Sequence, residues 1–148
     1  MSEPHRQVWP ADLLIDTHVL VWLVEGDGSL GSECIAAIDA FARQNRLYVS
    51  AITPWEIGLL VSKRRLQLAS DVMVWMREAL AKPGMQLAAL EPEIAVASTR
   101  LPFEMHGDPA DRILVATARR LGAALVTADE ALLGLAAGGH VRVMDARV

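Results

Sequence analysis

The sequence predicts an α/β protein, a three-layer α/β/α sandwich built on a five-stranded parallel sheet. Two observations lead there. Five short apolar runs of strand length alternate with segments of helical period, an order that demands parallel pairing through helical crossovers. A chain of 148 residues, 53% hydrophobic with a mean hydropathy of +0.29, suits one well-buried core.

The elements follow in order. Residues 1–12, MSEPHRQVWPAD, carry two prolines and no periodicity and read as an N-terminal tail, with 13–148 as a single domain. Leu13 to Ile15 is a buried strand that passes at Asp16 and Thr17 into a helix. EGDGSLGS is a turn, after which Cys34, Ile38 and Phe41 mark an amphipathic helix. LYVSAI, residues 47–52, is the second strand. Thr53, Pro54 and Glu56 then read as a cap, a first-turn proline and the closing acid of a T-x-x-E capping box, and this helix ends in the basic cluster Lys63, Arg64 and Arg65.

Ser70 is expected to cap the next helix, with Met73, Met76 and Leu80 on its buried face, before Pro83 and Gly84 stop it. Met85 to Leu90 makes the third strand, and Pro92 opens a short helix that Pro102 ends. In HGDPADR, Asp108 caps and Pro109 takes the first helical position. Leu114, Thr117, Ala118 and Leu121 form the buried stripe, closed by Gly122. Ala124 to Thr127 is the fourth strand, Asp129 and Glu130 open a brief helix, and Val141 to Met144 is the fifth strand. Trp22, Trp55 and Trp75 fall in helical patterns and are expected in the core.

Composition excludes several classes of function. The apolar runs fall short of the roughly 18 residues of a membrane helix, and the amino terminus lacks a continuous apolar segment, so a cytoplasmic protein is expected. Cys34 is the single cysteine, which removes internal disulfides and thiolate metal sites. A net charge of −4 argues against a broad basic surface for nucleic acid. His18 and His106 each lack the i, i+4 partner of a zinc helix and are expected to be ordinary surface or core histidines.

Four acids occupy equivalent places. Asp16 and Asp129 follow strands, while Glu56 and Asp111 lie in first turns of helices, so all four can reach one rim of the sheet, where open α/β sheets bind their ligands. Each alone is explained by helix capping. Together they repel and raise one another's pKa unless a cation compensates, and an oxygen-only set favours Mg2+ or Mn2+ over zinc.

The segments LLIDTHVLVWL, TPWEIGLL and HGDPADRILVATARRLGAALVTAD, in this order across about residues 13–145, resemble the PIN-domain family, and within it the VapC-like toxins of prokaryotic toxin–antitoxin pairs. The resemblance implies that Asp16, Glu56, Asp111 and Asp129 form the metal site and that Thr127 falls at the family's hydroxyl position. It further implies a metal-dependent endoribonuclease, a homodimer, and inhibition by a cognate antitoxin protein. Ala110 departs from the family's H-x-D-P-F-D-R pattern, which has Phe there. Arg112 reads equally as a phosphate contact and as a structural ion-pair partner, and Asp108, explained by capping, retains a supporting role through its nearness to Asp111. Two rival functions remain. A small Mg2+-dependent phosphatase would want a second Asp two residues after Asp16, where His18 stands, and a non-catalytic RNA-binding module would be expected to have lost an acid.

Overall fold

The computed structural model describes residues 10–148, and the part of the expected tail at positions 1–9 lies outside the described residues. In chain order the elements are β1 (Asp12–Ile15), α1 (Thr17–Glu25), α2 (Ser32–Arg43), β2 (Leu47–Ser50), α3 (Ile52–Ser62), α4 (Val72–Leu80), β3 (Met85–Ala88), α5 (Pro92–Thr99), α6 (Pro109–Leu121), β4 (Ala123–Thr127), α7 (Glu130–Leu133), a 3-10 turn over Gly134–Gly138, and β5 (Arg142–Asp145). All five strands pair in parallel, in the order β3-β2-β1-β4-β5. The expected five-stranded parallel sheet is therefore present, with β1 beginning at Asp12, inside the segment read as tail.

The strands show why three layers form. Leu13 and Ile15 of β1, with Ala124 and Val126 of β4, face one apolar cluster that also holds Val19, Leu20, Cys34, Ile38, Ile57 and Trp75. Leu14, Ala123 and Leu125 point the other way, into a second cluster with Leu114, Val115, Ala118 and Leu132. Neighbouring residues of a strand project to opposite faces, so a strand apolar at every position must be covered on both. The chain winds outward from β1 to β3, then crosses back to place β4 on the other side of β1. That reversal leaves a crevice at the carboxyl ends of β1 and β4, the position where doubly wound sheets bind ligands.

Three local expectations are corrected. The first free amide of α3, from Ile52, is taken by Ser50 Oγ at 3.1 Å, so Thr53 lies inside the helix as its second residue. There its buried hydroxyl meets Thr17 Oγ1 at 3.2 Å, and no T-x-x-E box with Glu56 forms. Asp71, not Ser70, caps α4, because its carboxylate accepts from both Met73 N and Val74 N. Trp75, Met76 and Ala79 are the buried residues of that helix, and Met73 is 51% exposed. Trp55 is also outside the core, 56% exposed on the first turn of α3, whereas Trp75 is buried and Trp22 packs against the same cluster.

The turn into β3 depends on Gly84, which has φ of +81° and whose missing Cβ would overlap the Ala42 carbonyl. A side chain here meets both left-handed strain and a backbone clash. Gly84→Ala is therefore expected to destabilise the protein by about 2–4 kcal/mol, read as a lower urea midpoint with an unchanged slope.

Candidate active site

Asp16 is held from two sides. As the N-cap of α1 it accepts the Val19 amide on Oδ1 at 2.9 Å, and Oδ2 accepts the Thr127 hydroxyl at 2.5 Å, across the crevice from the end of β4. The capping role and the strand-tip position are thus both realised, one on each oxygen. With only 6% exposure, burial raises the pKa of Asp16, opposed by these two hydrogen bonds and reinforced by the charge of Glu56. Thr127 Oγ1 also accepts the Asp129 amide at 3.0 Å, and Asp129 caps α7 through the Leu132 amide at 3.1 Å. One buried hydroxyl therefore ties the two strand-end aspartates together.

Asp111 sits half-buried in the first turn of α6, its amide bonded to Asp108 Oδ1 at 3.1 Å. Its carboxyl is pushed up to about 7, first by burial and then by the charges of Asp108, Asp129, Glu56 and Asp16. Asp16, Glu56 and Asp129 are thus all close enough to act on Asp111. Among the described residues, the group whose potential ligand atoms lie within 4.8 Å of one another is Glu56, Asp108 and Asp111. Asp108 belongs to this group, whereas Asp16 and Asp129 lie outside that spacing.

Arg112 has a different occupation. Its Nε donates to the Ser98 carbonyl at 2.8 Å and its Nη1 to the carbonyls of Met105 and His106 at 3.3 and 3.5 Å. The guanidinium thus fastens the 105–106 backbone to α5, in neither of the two postures read from the sequence. His106, read as an ordinary histidine, places Nε2 3.3 Å from Asp111 Oδ2. The signal that finds it is the H-x-D turn, in which the Asp108 amide donates to His106 Nδ1 at 3.3 Å.

The donor set fits a divalent cation of the hard, oxygen-seeking kind. Burial and crowded carboxylates raise Asp111 to about 7, and a 2+ ion would remove the repulsion among them.

Fold and site together define a parallel α/β protein with a carboxylate-lined crevice where its strand order reverses. A family model described as PIN domain matches residues 13–137, and the chain belongs to the PIN-domain family. It is 35% identical over 120 residues to Ribonuclease VapC22 of Mycobacterium tuberculosis, covering 81% of this chain and 88% of that protein. In fold it is similar to VapBC2 from Rickettsia felis, solved bound to a DNA fragment from their promoter. The TM-score is 0.65 at 14% identity, covering 89% of this chain and 96% of that one. FitAcB from Neisseria gonorrhoeae matches with a TM-score of 0.60 at 22% identity, over 90% and 96% of the two chains. Among the described residues no helix is long and apolar enough to cross a membrane.

Proposed function

We propose that this chain is a metal-dependent endoribonuclease, the toxin of a toxin–antitoxin pair, in which residues 13–148 act as one unit in the cytoplasm. The observation that carries this reading is the carboxylate group at the crevice, with Asp111 pushed up to about 7 by burial and by the charges of its neighbours. The 35% identity to a protein named a ribonuclease supports the reaction class.

In this reading Asp16, Glu56, Asp111 and Asp129 hold Mg2+ or Mn2+, with Asp108, Thr127 and Arg112 in support. Bound there, the ion supplies an activated water and neutralises charge on the scissile phosphodiester. Asp16 offers a carboxylate whose two oxygens are already fixed by Val19 and Thr127, so little ordering remains to be done. Glu56 has no capping partner on its own helix and is free to orient the attacking water. Arg112 keeps the loop that precedes α6 in place, and with it the register of Asp108 and Asp111. An RNA phosphate approaching these acids is repelled until their charge is compensated, so substrate binding is coupled to cation binding.

The same electrostatics favour an antitoxin that inserts a basic side chain, best an arginine, among Asp16, Glu56, Asp111 and Asp129. The half-exposed Trp55, one residue from Glu56, offers such a partner an apolar contact beside the acids. A homodimer completes the reading.

The test is cleavage of a single-stranded RNA oligonucleotide by the purified chain, together with host growth when it is expressed alone or with the protein encoded beside it. Cleavage is expected with Mg2+ or Mn2+, lost on chelation and restored by re-addition, with growth arrest relieved by the partner. Turnover that survives exhaustive chelation would overturn the metal reading, and harmless expression of an active enzyme would overturn the toxin reading.

A further inference from the structure

The loop before α6 folds back on itself through two hydrogen bonds and one close polar contact. The Asp108 amide donates to His106 Nδ1 at 3.3 Å, the Asp111 amide donates to Asp108 Oδ1 at 3.1 Å, and His106 Nε2 lies 3.3 Å from Asp111 Oδ2. The first of these bonds bears on the contact with Asp111. Nδ1 accepts a backbone proton, so in the neutral ring the hydrogen belongs on Nε2, the nitrogen that faces Asp111 Oδ2 at 3.3 Å. The loop is braced from outside, since Arg112 Nη1 bonds the carbonyls of Met105 and His106 while its Nε is anchored on Ser98. His106 therefore does not drift onto Asp111 as a loose surface side chain. Its backbone and its imidazole are both fixed.

From this arrangement we infer that His106 is a positioning residue for the metal site: its Nε2–H holds Asp111 Oδ2 and so fixes that carboxylate beside Glu56 and Asp108. The inference rests on the proposed metal-binding role of Asp111 and deepens it. A carboxylate on the first turn of a helix has free rotation about χ2, and four acids close by would push it outward. One donor on one oxygen removes that freedom. Donors placed behind metal ligands in this way commonly alter metal affinity or activity by about 10- to 100-fold when removed.

The experiment uses the full chain with Mn2+ as the probe, in three variants. His106→Ala removes both polar contacts of the imidazole. His106→Gln puts an amide donor near the Nε2 position, and His106→Asn puts its polar atoms near the Nδ1 position and falls short of Asp111. Mn2+ affinity is measured without RNA, by titration calorimetry or by the loss of the free-ion electron paramagnetic resonance signal. Expected is a roughly 10- to 100-fold weaker Kd for His106→Ala and for His106→Asn, with most of the affinity recovered in His106→Gln. The melting temperature of the metal-free protein is expected to change little in all three, and KM for RNA to match the parent once Mn2+ saturates the site. Unchanged Mn2+ affinity in His106→Ala overturns the inference, as does equal recovery by Asn and Gln, which would assign the arrangement to loop structure alone. Absence of Mn2+ binding by the parent chain overturns it as well. A parent chain that binds Mn2+ but cleaves no RNA defeats the ribonuclease reading and leaves the affinity comparison to decide the role of His106.

Discussion

Asp111→Asn is expected to abolish RNA cleavage while making the metal-free protein more stable at neutral and higher pH. The carboxyl of Asp111 is raised from 3.8 to about 7, chiefly by burial and then by Asp108, Asp129, Glu56 and Asp16. The folded state thus keeps a proton between about pH 4 and 7 that the unfolded chain gives up. Where the folded state binds more protons, stability falls as pH rises, so the metal-free protein should weaken through that window and stay weakened above it. Asparagine keeps an oxygen for the His106 donor but carries no charge, which removes the penalty. Allowing for the partial exposure of Asp111 and for sharing of repulsion among the neighbours, the gain at pH 8 should be roughly 2–4 kcal/mol, vanishing near pH 4. Cleavage should fall by more than about a hundredfold, since loss of a ligand exceeds loss of a residue behind one. Urea melts at pH 4.5 and 8 check the first half and single-turnover cleavage the second. Added Mn2+ supplies a control: it should stabilise the parent at pH 8 and the variant far less. A variant with the parent's pH dependence, or with near-normal turnover, would show that Asp111 is not where the repulsion is stored.

The second large effect is expected at Thr127, a fully buried residue whose hydroxyl donates to Asp16 Oδ2 and accepts the Asp129 amide. Thr127→Val keeps shape and volume, so no cavity forms, but it leaves a buried carboxylate with one donor fewer and a backbone amide without its acceptor. Hydrogen bonds to charged groups contribute about 1.5–3 kcal/mol, and an unsatisfied buried polar group costs a similar amount. The variant should therefore lose about 2–4 kcal/mol and cleave RNA some 10- to 100-fold more slowly, because Asp16 and Asp129 lose their common tether. Thr127→Ser, which retains the hydroxyl, should recover most of both. If Val and Ser behave alike, packing and not the hydroxyl governs this position.

The sequence by itself carried a good deal of this protein. Alternation of short apolar runs with helical periods determined five parallel strands and two covered faces, because a strand apolar at every position leaves no solvent side. Asp108 before Pro109, and Gly122 with φ of +65° at the end of α6, are local signals, and the structure carries them at the same residues. The site acids were legible as strand ends and first turns, since the carboxyl edge of a parallel sheet gathers such positions whatever the intervening loops. What only the tertiary structure decided are choices among neighbours that differ by one residue or one partner. Ser50 outcompetes Thr53 and Asp71 outcompetes Ser70 as caps, because small polar residues within a few positions of one another offer nearly equal local bonds and packing picks one. Packing of α4 buries Trp75 and leaves Met73 outward, and Trp55 on the first turn of α3 is exposed. The bond from Thr127 to Asp16 spans 111 residues, Arg112 reaches back to Ser98, and His106 meets Asp111 only because the turn between them closes. Local periodicity carries no information on such partners, since each depends on where two separately formed elements come to rest.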